Sequence, residues 1–206
     1  MVFDVGACYG KKLVSLLNLN SRVIAIEPQE RCMKYLKNNF NSNSVYFIQK
    51  ALGETESIEK LYEGVDHSLS TMSNEWKKKI IENNDDLKHD WKKPYYVSVT
   101  TLDSLIKQFG VPSFIKIDVE GYELSVLKGL TRPIKMISIE FIKNNIHNSI
   151  DCLKYLNNMG DYRYNYSIGE EHRFFFKTWK NYREIVNYLV SPSISRWGDI
   201  YIKLKE

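Results

Sequence analysis

Short apolar runs alternate with stretches of helical periodicity along the sequence. The runs are rich in β-branched and aromatic residues and are bounded by turn residues, as is typical of buried strands. This alternation predicts an α/β fold in which a parallel sheet is covered by helices. Strands are predicted at residues 1–5, 22–26, 45–49, 114–118 and 136–141, and helices at residues 11–19, 29–40, 102–109 and 123–130.

The sequence after residue 150 predicts a further region of helix and strand, with strand-like content at residues 173–177 and 199–204. Tyr162, Tyr164 and Tyr166 occupy alternating positions there, and we interpret them as half-buried packing residues. Stacking of these rings on a sugar or a polyketide is the alternative.

Residues 63–95 break the alternation. Trp76, Trp91 and the apolar residues between them have the spacing of an amphipathic helix, which the polar residues 83–86 would interrupt. A surface helix at a sheet edge and a lid over a ligand site both fit this pattern. We therefore expect one domain over residues 1–206, with a lid or insertion at 63–95.

The composition is that of a globular domain, since 43% of the 206 residues are apolar and 26% are charged. The net charge of +4 permits an anionic substrate but falls short of the basic surface that nucleic-acid binding requires. The three cysteines form no CxxC pair, which argues against a disulfide framework or a zinc site and favours a reducing, cytoplasmic location. No apolar run approaches the ~20 residues that span a bilayer, so no membrane insertion is expected.

The first predicted strand ends at Asp4 and Val5 and is followed by a tight turn, Gly6 to Gly10, that opens a helix. Such a turn exposes backbone N–H groups at the carboxyl end of a strand, where open α/β sheets bind ligands. The second predicted strand ends at Glu27, 21 residues after Gly6, where a carboxylate can accept hydrogen bonds from a ribose diol. These residues predict a site for a nucleoside-containing cofactor.

Two classes of cofactor fit this pattern to different degrees. A dinucleotide site requires glycine where this chain has Cys8, because a Cβ atom there crowds the pyrophosphate. S-adenosylmethionine has no phosphate and tolerates a side chain at this position, and Asp4 suits its ammonium group. The residues therefore favour a methyl donor over a dinucleotide, and a turn that only packs is the third interpretation.

Three carboxylates are predicted to converge at the same edge of the sheet. Asp118 and Glu120 follow or end one predicted strand, and Glu140 lies at the end of the next. The strand before Asp118 is expected beside the first strand, so Asp118 should face the Gly6 turn across a cleft. Because three carboxylates repel one another, we expect a cationic ligand, a bound metal or a proton-accepting role. Helix capping or pairing with a lysine is the alternative for each of them.

Together these motifs resemble those of the FkbM-type methyltransferases. The resemblance rests on the segments DVGACYG, IEP, TLDS, IKIDVEGYE and VLKG, at residues 4–10, 26–28, 101–104, 115–123 and 126–129. It extends over residues 1–141, and the block KIDVEG at 116–121 is its most specific part.

The resemblance implies the class I methyltransferase fold, a doubly wound, Rossmann-like, mostly parallel seven-stranded sheet with one antiparallel strand near the C-terminus. It also implies S-adenosylmethionine as cofactor and methylation of a hydroxyl group, commonly on a sugar, glycan or polyketide-like small molecule. The predicted cofactor-binding residues are Asp4, Gly6, Ala7, Cys8, Tyr9, Gly10 and Glu27, with Gln49, Lys50 and Ala51 at the adenine, and the predicted catalytic residues are Asp118, Glu120 and Glu140.

The chain departs from the family pattern at the general base. Many members have a histidine where this chain has Ile142, so His147 and His67 are the substitute candidates. Proton removal by a histidine or a carboxylate, and activation of the hydroxyl by a divalent metal, all remain open.

Two other functions remain open as well. An NAD(P)-dependent oxidoreductase would share the sheet and Glu27. A non-catalytic carbohydrate- or RNA-binding module would use the 14 tyrosines and the lysines at 77–79 and 92–93, but interleaved acids nearly cancel these lysines. Because Met1 begins the first predicted strand, cover for the cofactor is expected from the insertion or from a partner subunit of a homo-oligomer. A shortened form that binds the cofactor weakly is the alternative.

Overall fold

The computed structural model describes residues 1–40, 43–64, 69–82, 91–171 and 173–205. In this part of the chain, seven strands form a main sheet and three form a small sheet. The strands are β1 (Val2–Val5), β2 (Val23–Ile26), β3 (Val45–Ile48), β4 (Ala51–Leu52), β5 (Ser57–Leu61), β6 (Tyr95–Thr100), β7 (Phe114–Ile117), β8 (Met136–Ile142), β9 (Tyr162–Ile168) and β10 (Trp197–Leu204). The helices are α1 (Lys11–Asn18), α2 (Glu30–Asn39), α3 (Asn74–Glu82), α4 (Leu102–Phe109), α5 (Glu123–Lys128), α6 (Ile146–Met159) and α7 (Tyr182–Leu189).

The main sheet has the strand order β3-β2-β1-β7-β8-β10-β9. Strand β1 pairs in parallel with β2 and β7, and β7 with β8, whereas β10 is antiparallel to both β8 and β9. The five strands predicted from the sequence correspond to β1, β2, β3, β7 and β8. The predicted fold class is confirmed, including the antiparallel strand near the C-terminus. Because the chain crosses between the two halves of the sheet at β1 and β7, a crevice forms at the carboxyl ends of these strands.

Two parts of the structure differ from the prediction. Residues 173–177 form no strand but bend along β9, where the Asn165 side chain bonds both the N–H and the carbonyl of Phe176. The aromatic residues of this segment therefore pack and do not form a strand. The small sheet, in the order β4-β6-β5, was not predicted, because β4 has only two residues and β5 has the polar sequence SIEKL.

The largest apolar cluster packs α4, α5, α6 and α7 against one face of the main sheet. Phe3, Ile115 and Ile137 lie in register on adjacent strands and are fully buried in it. A smaller cluster packs α1 and α2 against the opposite face of β2 and β3. No helix in the described ranges combines the length and apolarity needed to cross a bilayer.

The alternating tyrosines of β9 belong to the core. Tyr162, Tyr164 and Tyr166 are each no more than 1% exposed. The Tyr162 hydroxyl donates to the Ile134 carbonyl at 3.2 Å and accepts the Ile134 N–H at 3.0 Å. Their interpretation as packing residues is confirmed, and these rings are not available to stack on a ligand.

The central strands carry polar side chains on the face opposite the larger cluster. Asp4 on β1 is in register with Lys116 on β7, which is in register with Ser138 on β8, and all three are buried. Side chains two residues apart on a strand share a face. The next residues on this face are therefore Asp118 and Glu140, which the register places side by side at the carboxyl edge of the sheet.

The helix predicted within the insertion is present as α3. Trp76 of this helix is buried and packs so closely on Gly121 that a Cβ atom there would lie 2.5 Å from the indole. The Thr71 hydroxyl donates a 2.6 Å hydrogen bond to the Glu120 carbonyl. The insertion therefore packs on the turn that follows β7. The predicted continuation of the helix through residues 83–90 lies outside the described residues.

Replacement of Gly6 by alanine is expected to destabilise the protein strongly. Gly6 has a φ of +81°, and a Cβ atom there would lie 1.8 Å from the Asp118 carbonyl oxygen. Gly110 is the matched control, since its φ is +94° but a Cβ atom there would meet only the Met1 side chain, at 3.8 Å. Gly110→Ala should lower the free energy of unfolding by about 1–3 kcal/mol, the usual cost of a strained backbone angle, and Gly6→Ala by clearly more.

Urea denaturation of the two variants measures this difference. Equal losses of unfolding free energy would show that contact with the end of β7 does not constrain Gly6.

Candidate active site

A cleft of about 430 Å³ lies at the carboxyl edge of the main sheet. This volume is in the range of small-molecule sites, ~300–1,000 Å³. The walls come from the turn after β1, the ends of β2 and β7, the residues around β4 and the start of β10. The predicted site residues that line it are Asp4, Gly6, Ala7, Cys8, Tyr9, Glu27, Lys50, Ala51, Asp118, Glu120 and Glu140.

Two predicted cofactor-binding residues, Gly10 and Gln49, are not among the described residues that line the cleft. Gly10 precedes α1 in a left-handed conformation with a φ of +78°. A Cβ atom there would lie 2.6 Å from the Phe40 ring. Packing against α2 therefore explains the second glycine of the turn without a ligand.

The turn after β1 is held against the end of β2. The N–H groups of Gly6 and Ala7 both donate to the Ile26 carbonyl, at 3.0 and 3.1 Å. The N–H group of Cys8 donates to the Glu27 carboxylate at 2.9 Å. Three successive N–H groups of the turn are thus already bonded within the protein.

Glu27 is a buried carboxylate at the floor of the cleft. Its two oxygens accept hydrogen bonds from the N–H groups of Cys8, at 2.9 Å, and Gln29, at 2.8 Å. Burial nevertheless raises the pKa of Glu27 to about 7, because these bonds only partly compensate for the loss of water. The Gln29 side chain also bonds Glu27, so the carboxylate has one acceptor position left for a hydroxyl donor of a ligand and gains a second where such a donor replaces the Gln29 side chain.

Asp4 is the most poorly satisfied polar group of the site. It is 1% exposed, and neither carboxylate oxygen has a hydrogen-bond partner among the described residues. Burial raises the pKa of Asp4, and the ammonium of Lys116 opposes the shift. An unsatisfied buried carboxylate is costly, so Asp4 points to a ligand that carries hydrogen-bond donors.

Lys116 is a buried cation at the centre of these acids. Its ammonium bonds the Asp118 carboxylate at 2.7 Å. Burial acts to lower the pKa of Lys116, but the negative charges of Asp118 and Asp4 outweigh it and hold the pKa above its usual range. Lys116 is therefore charged, and it fixes one oxygen of Asp118.

The structure brings Asp118, Glu120 and Glu140 together at the wall of the cleft. One oxygen of each carboxylate lies within 4.8 Å of the others. Burial and then the charge of Asp118 raise the pKa of Glu140 to about 9. Burial and then the charge of Glu140 raise the pKa of Glu120 well above its usual range. Without a cationic partner, Glu140 therefore holds a proton at neutral pH.

Asp199 also lines the cleft and was not predicted from the sequence. It lies near the start of β10, in register with Glu140. Because β10 is antiparallel to β8, its first residues lie at the carboxyl edge of the parallel strands. Burial raises the pKa of Asp199, and Lys116 opposes the shift. The sequence WGD at the start of the last apolar run could have indicated this residue, but only once the direction of β10 was known.

Of the two substitute histidines, His147 finds no support in the geometry, and the structure does not test His67. His147 is exposed on α6 and is not among the described residues that line the cleft, and His67 lies outside the described residues. The titratable groups that the described site offers to a substrate proton are therefore mainly carboxylates.

Comparison with known proteins adds three findings. A family model for the methyltransferase FkbM domain matches residues 4–199 of this chain. The chain is similar to a crystal structure of methyltransferase FkbM from Methylobacillus flagellatus KT, with a TM-score of 0.58 and 19% identity over 98% of this chain and 42% of that chain. The C-terminal domain of precorrin-6Y C5,15-methyltransferase from Rhodobacter capsulatus has a TM-score of 0.46 and 13% identity over 99% of this chain and 79% of that domain.

No curated protein sequence is similar enough to this chain to count as a relative. The chain spans 42% of the length of the Methylobacillus flagellatus structure, and at 19% identity the likeness is one of fold. The family model, in contrast, is matched over nearly the whole chain and agrees with the motifs of the glycine turn and the KIDVEG block. The chain therefore belongs to the FkbM methyltransferase family.

Proposed function

We propose that this protein is an S-adenosylmethionine-dependent methyltransferase that methylates a hydroxyl group of a sugar, glycan or polyketide-like small molecule. The observation that carries the proposal is the buried carboxylate of Asp4, which has no hydrogen-bond partner among the described residues. It lies beside the turn after β1, in a cleft of suitable volume, in a chain of the FkbM methyltransferase family.

The lining of the cleft fits this cofactor along its length. Asp4 offers two acceptor oxygens to an ammonium group, which has three donors. Glu27 offers its remaining acceptor capacity to the ribose hydroxyls, which can also replace the Gln29 side chain on it. Lys50 and Ala51 line the part of the cleft that follows β3, where we place the adenine.

The turn after β1 suits this cofactor better than a dinucleotide. A pyrophosphate is bound by free backbone N–H groups at such a turn. Here the N–H groups of Gly6, Ala7 and Cys8 are already bonded to the end of β2. Residue 8 is a cysteine and not a glycine, which also disfavours a dinucleotide, because a side chain there obstructs close approach of phosphates.

Methyl transfer to oxygen requires a positioned acceptor and removal of its proton. When bound, S-adenosylmethionine supplies a methyl group whose bond to sulfur breaks with both electrons left on sulfur, while the acceptor oxygen gains the methyl group and loses its proton. Asp118, Glu120 and Glu140 form the wall of the cleft next to the Gly6 turn, so they lie where they can take up this proton once a bound cation keeps Glu140 ionised. A positioned base typically contributes about 10²–10⁴-fold in rate.

We further assign the insertion at residues 63–95 the role of a lid on the acceptor side of a single domain. Ser70 and Met72 line the cleft, and Trp76 packs on the turn that carries Glu120. Cys8, Cys32 and Cys152 form no disulfide, which supports a reducing, cytoplasmic setting.

Replacement of Asp4 by asparagine is expected to weaken binding of S-adenosylmethionine and of its product S-adenosylhomocysteine about 10- to 100-fold. Asparagine keeps the shape of the side chain but loses the charge, and a hydrogen bond between charged groups contributes about 1.5–3 kcal/mol. The matched ligand is 5′-methylthioadenosine, which has the nucleoside but no ammonium group. Its affinity should be the same for the wild type and Asp4→Asn.

Calorimetric titration measures these affinities. Failure of the wild type to bind either adenosyl ligand would overturn the proposed function. An equal loss of affinity for the homocysteine ligand and for 5′-methylthioadenosine would show that Asp4 does not bind the ammonium group.

The affinity for S-adenosylhomocysteine is expected to rise about tenfold from pH 6 to pH 8. The pKa of Glu27 is about 7, so its carboxylate changes from about one tenth to about nine tenths ionised over this range. Ribose hydroxyls donate more strongly to the ionised form, so binding follows its fraction. Glu27→Gln should bind weakly at both pH values and without the slope.

Titrations at several pH values test this expectation. A slope that persists in Glu27→Gln would assign the pH dependence to another group, such as Asp4.

A further inference from the structure

We propose that Asp118, Glu120 and Glu140 bind a divalent cation of the magnesium class at the acceptor side of the cleft. The inference rests on the proposed function, because the cation would lie where the acceptor hydroxyl is expected. It adds a ligand that neither the family model nor the structural comparisons assign.

The spacing of the three carboxylates suits a single ion. One oxygen of each residue lies within 4.8 Å of the other two. Oxygen ligands lie about 2.0–2.1 Å from Mg²⁺ and about 2.3–2.6 Å from Ca²⁺, so three ligands spread evenly around one ion are at most about 3.6 Å apart for Mg²⁺ and about 4.5 Å apart for Ca²⁺. The three oxygens can therefore contact a common ion with small adjustments of side chains.

A second observation comes from Glu120, whose Oε2 atom is enclosed by protein and has no hydrogen-bond partner among the described residues. An enclosed carboxylate oxygen without a partner is unfavourable. The main chain at this position is fixed, because the Glu120 carbonyl accepts the Thr71 hydroxyl and Gly121 packs on Trp76. The backbone of Glu120 is therefore fixed beside the other two carboxylates.

The charges of the cluster also match a divalent cation. Three ionised carboxylates carry a charge of −3, and the ammonium of Lys116, which bonds Asp118, also faces the charges of Asp4 and Asp199. The cluster therefore keeps a net negative charge that a divalent cation would reduce. Within the described ranges of the chain, no ion pair is formed by Glu120 or Glu140 that would reduce it further.

The ligand atoms indicate the type of ion. All three are carboxylate oxygens, which favour hard cations such as Mg²⁺, Mn²⁺ and Ca²⁺. All three residues also line the main cleft, so the remaining coordination positions of the ion would face the acceptor. A second cavity of about 10 Å³, close to the size of one water, also opens onto Glu120 and Glu140. A water there is the alternative partner for the Glu120 oxygen.

This site would make the acceptor a hydroxyl group. A hard cation binds an alcohol oxygen and lowers the pKa of its proton, which the neighbouring carboxylates can then accept. An uncharged amine needs no such activation. Removal of the proton by a general base would need only one carboxylate. A cation site would use all three.

Titration of Mn²⁺ into the metal-free chain of residues 1–206, followed by electron paramagnetic resonance of the free ion, tests the proposal directly. We expect one binding site in the wild type. Its affinity should fall at least tenfold in Glu140→Gln and in Glu120→Gln, because loss of a direct ligand costs at least as much as the 10- to 100-fold known for outer partners. Glu30→Gln, an identical change on the exposed surface of α2, should leave it unchanged.

Three outcomes would overturn the proposal: no Mn²⁺ binding to the wild type, equal binding by Glu140→Gln and the wild type, or an equal loss in Glu30→Gln. The first would point to a water as the partner of Glu120. Calorimetric binding of S-adenosylhomocysteine by the same metal-free samples shows that each variant is folded. It also separates this proposal from the proposed function, since failure of Mn²⁺ binding leaves cofactor binding intact, and failure of cofactor binding leaves the Mn²⁺ result standing.

Discussion

Contact between the backbones of two parallel strands at their carboxyl ends determines the geometry of the cleft. The turn at Gly6 lies against the carbonyl of Asp118 at a distance that leaves no room for a Cβ atom. The Asp118 N–H in turn donates to the Val5 carbonyl at 3.0 Å. Because β1 and β7 end together, the buried row of Asp4 and Lys116 continues directly into the carboxylates of the cleft wall. Cofactor and acceptor sites can therefore share one opening.

The ends of these strands also bring several carboxylates together, and few cations balance their negative charge. The folded-state pKa values of Glu27, about 7, and Glu140, about 9, lie above the usual value of 4.5. The stability that these groups contribute is therefore greatest below about pH 4.5 and is lost as the pH rises through 7 and then 9. A site that needs a cationic ligand is strained without it, which is the common conflict between stability and function. Both a sulfonium cofactor and a divalent cation would relieve this strain by supplying positive charge.

Local motifs explain why much of the site could be predicted from the sequence. Asp4, Glu27 and Asp118 each follow or end an apolar strand. Because neighbouring parallel strands end at the same edge of the sheet, the strand assignment alone predicts that these three side chains lie close together. Gly10 shows the limit of this reasoning, because its glycine is explained by packing on Phe40 and not by a ligand. A residue of a sequence motif can be required by packing as well as by ligand binding, and the motif alone does not show which.

Features that depend on distant pairing could not be predicted in the same way. Asp199 enters the cleft only because β10 runs antiparallel to β8, and Lys116 becomes a central cation only through the register of β1 and β7. Residues 173–177 have the composition of a strand, but the Asn165 side chain occupies the backbone groups of Phe176 that a strand would pair. In each case long-range contacts outweigh local preference.

The account depends on Asp4 and Glu27 being the two acceptor groups that hold one adenosyl ligand across the end of β1. A crystal structure of the chain with S-adenosylhomocysteine tests this most directly. The account predicts that the ligand's amino group lies within hydrogen-bond distance of the Asp4 carboxylate and that both ribose hydroxyls bond Glu27, with the sulfur facing Asp118. A ligand bound elsewhere, or one in this cleft whose ribose and amino group leave both Glu27 and Asp4 without a new hydrogen bond, would contradict it.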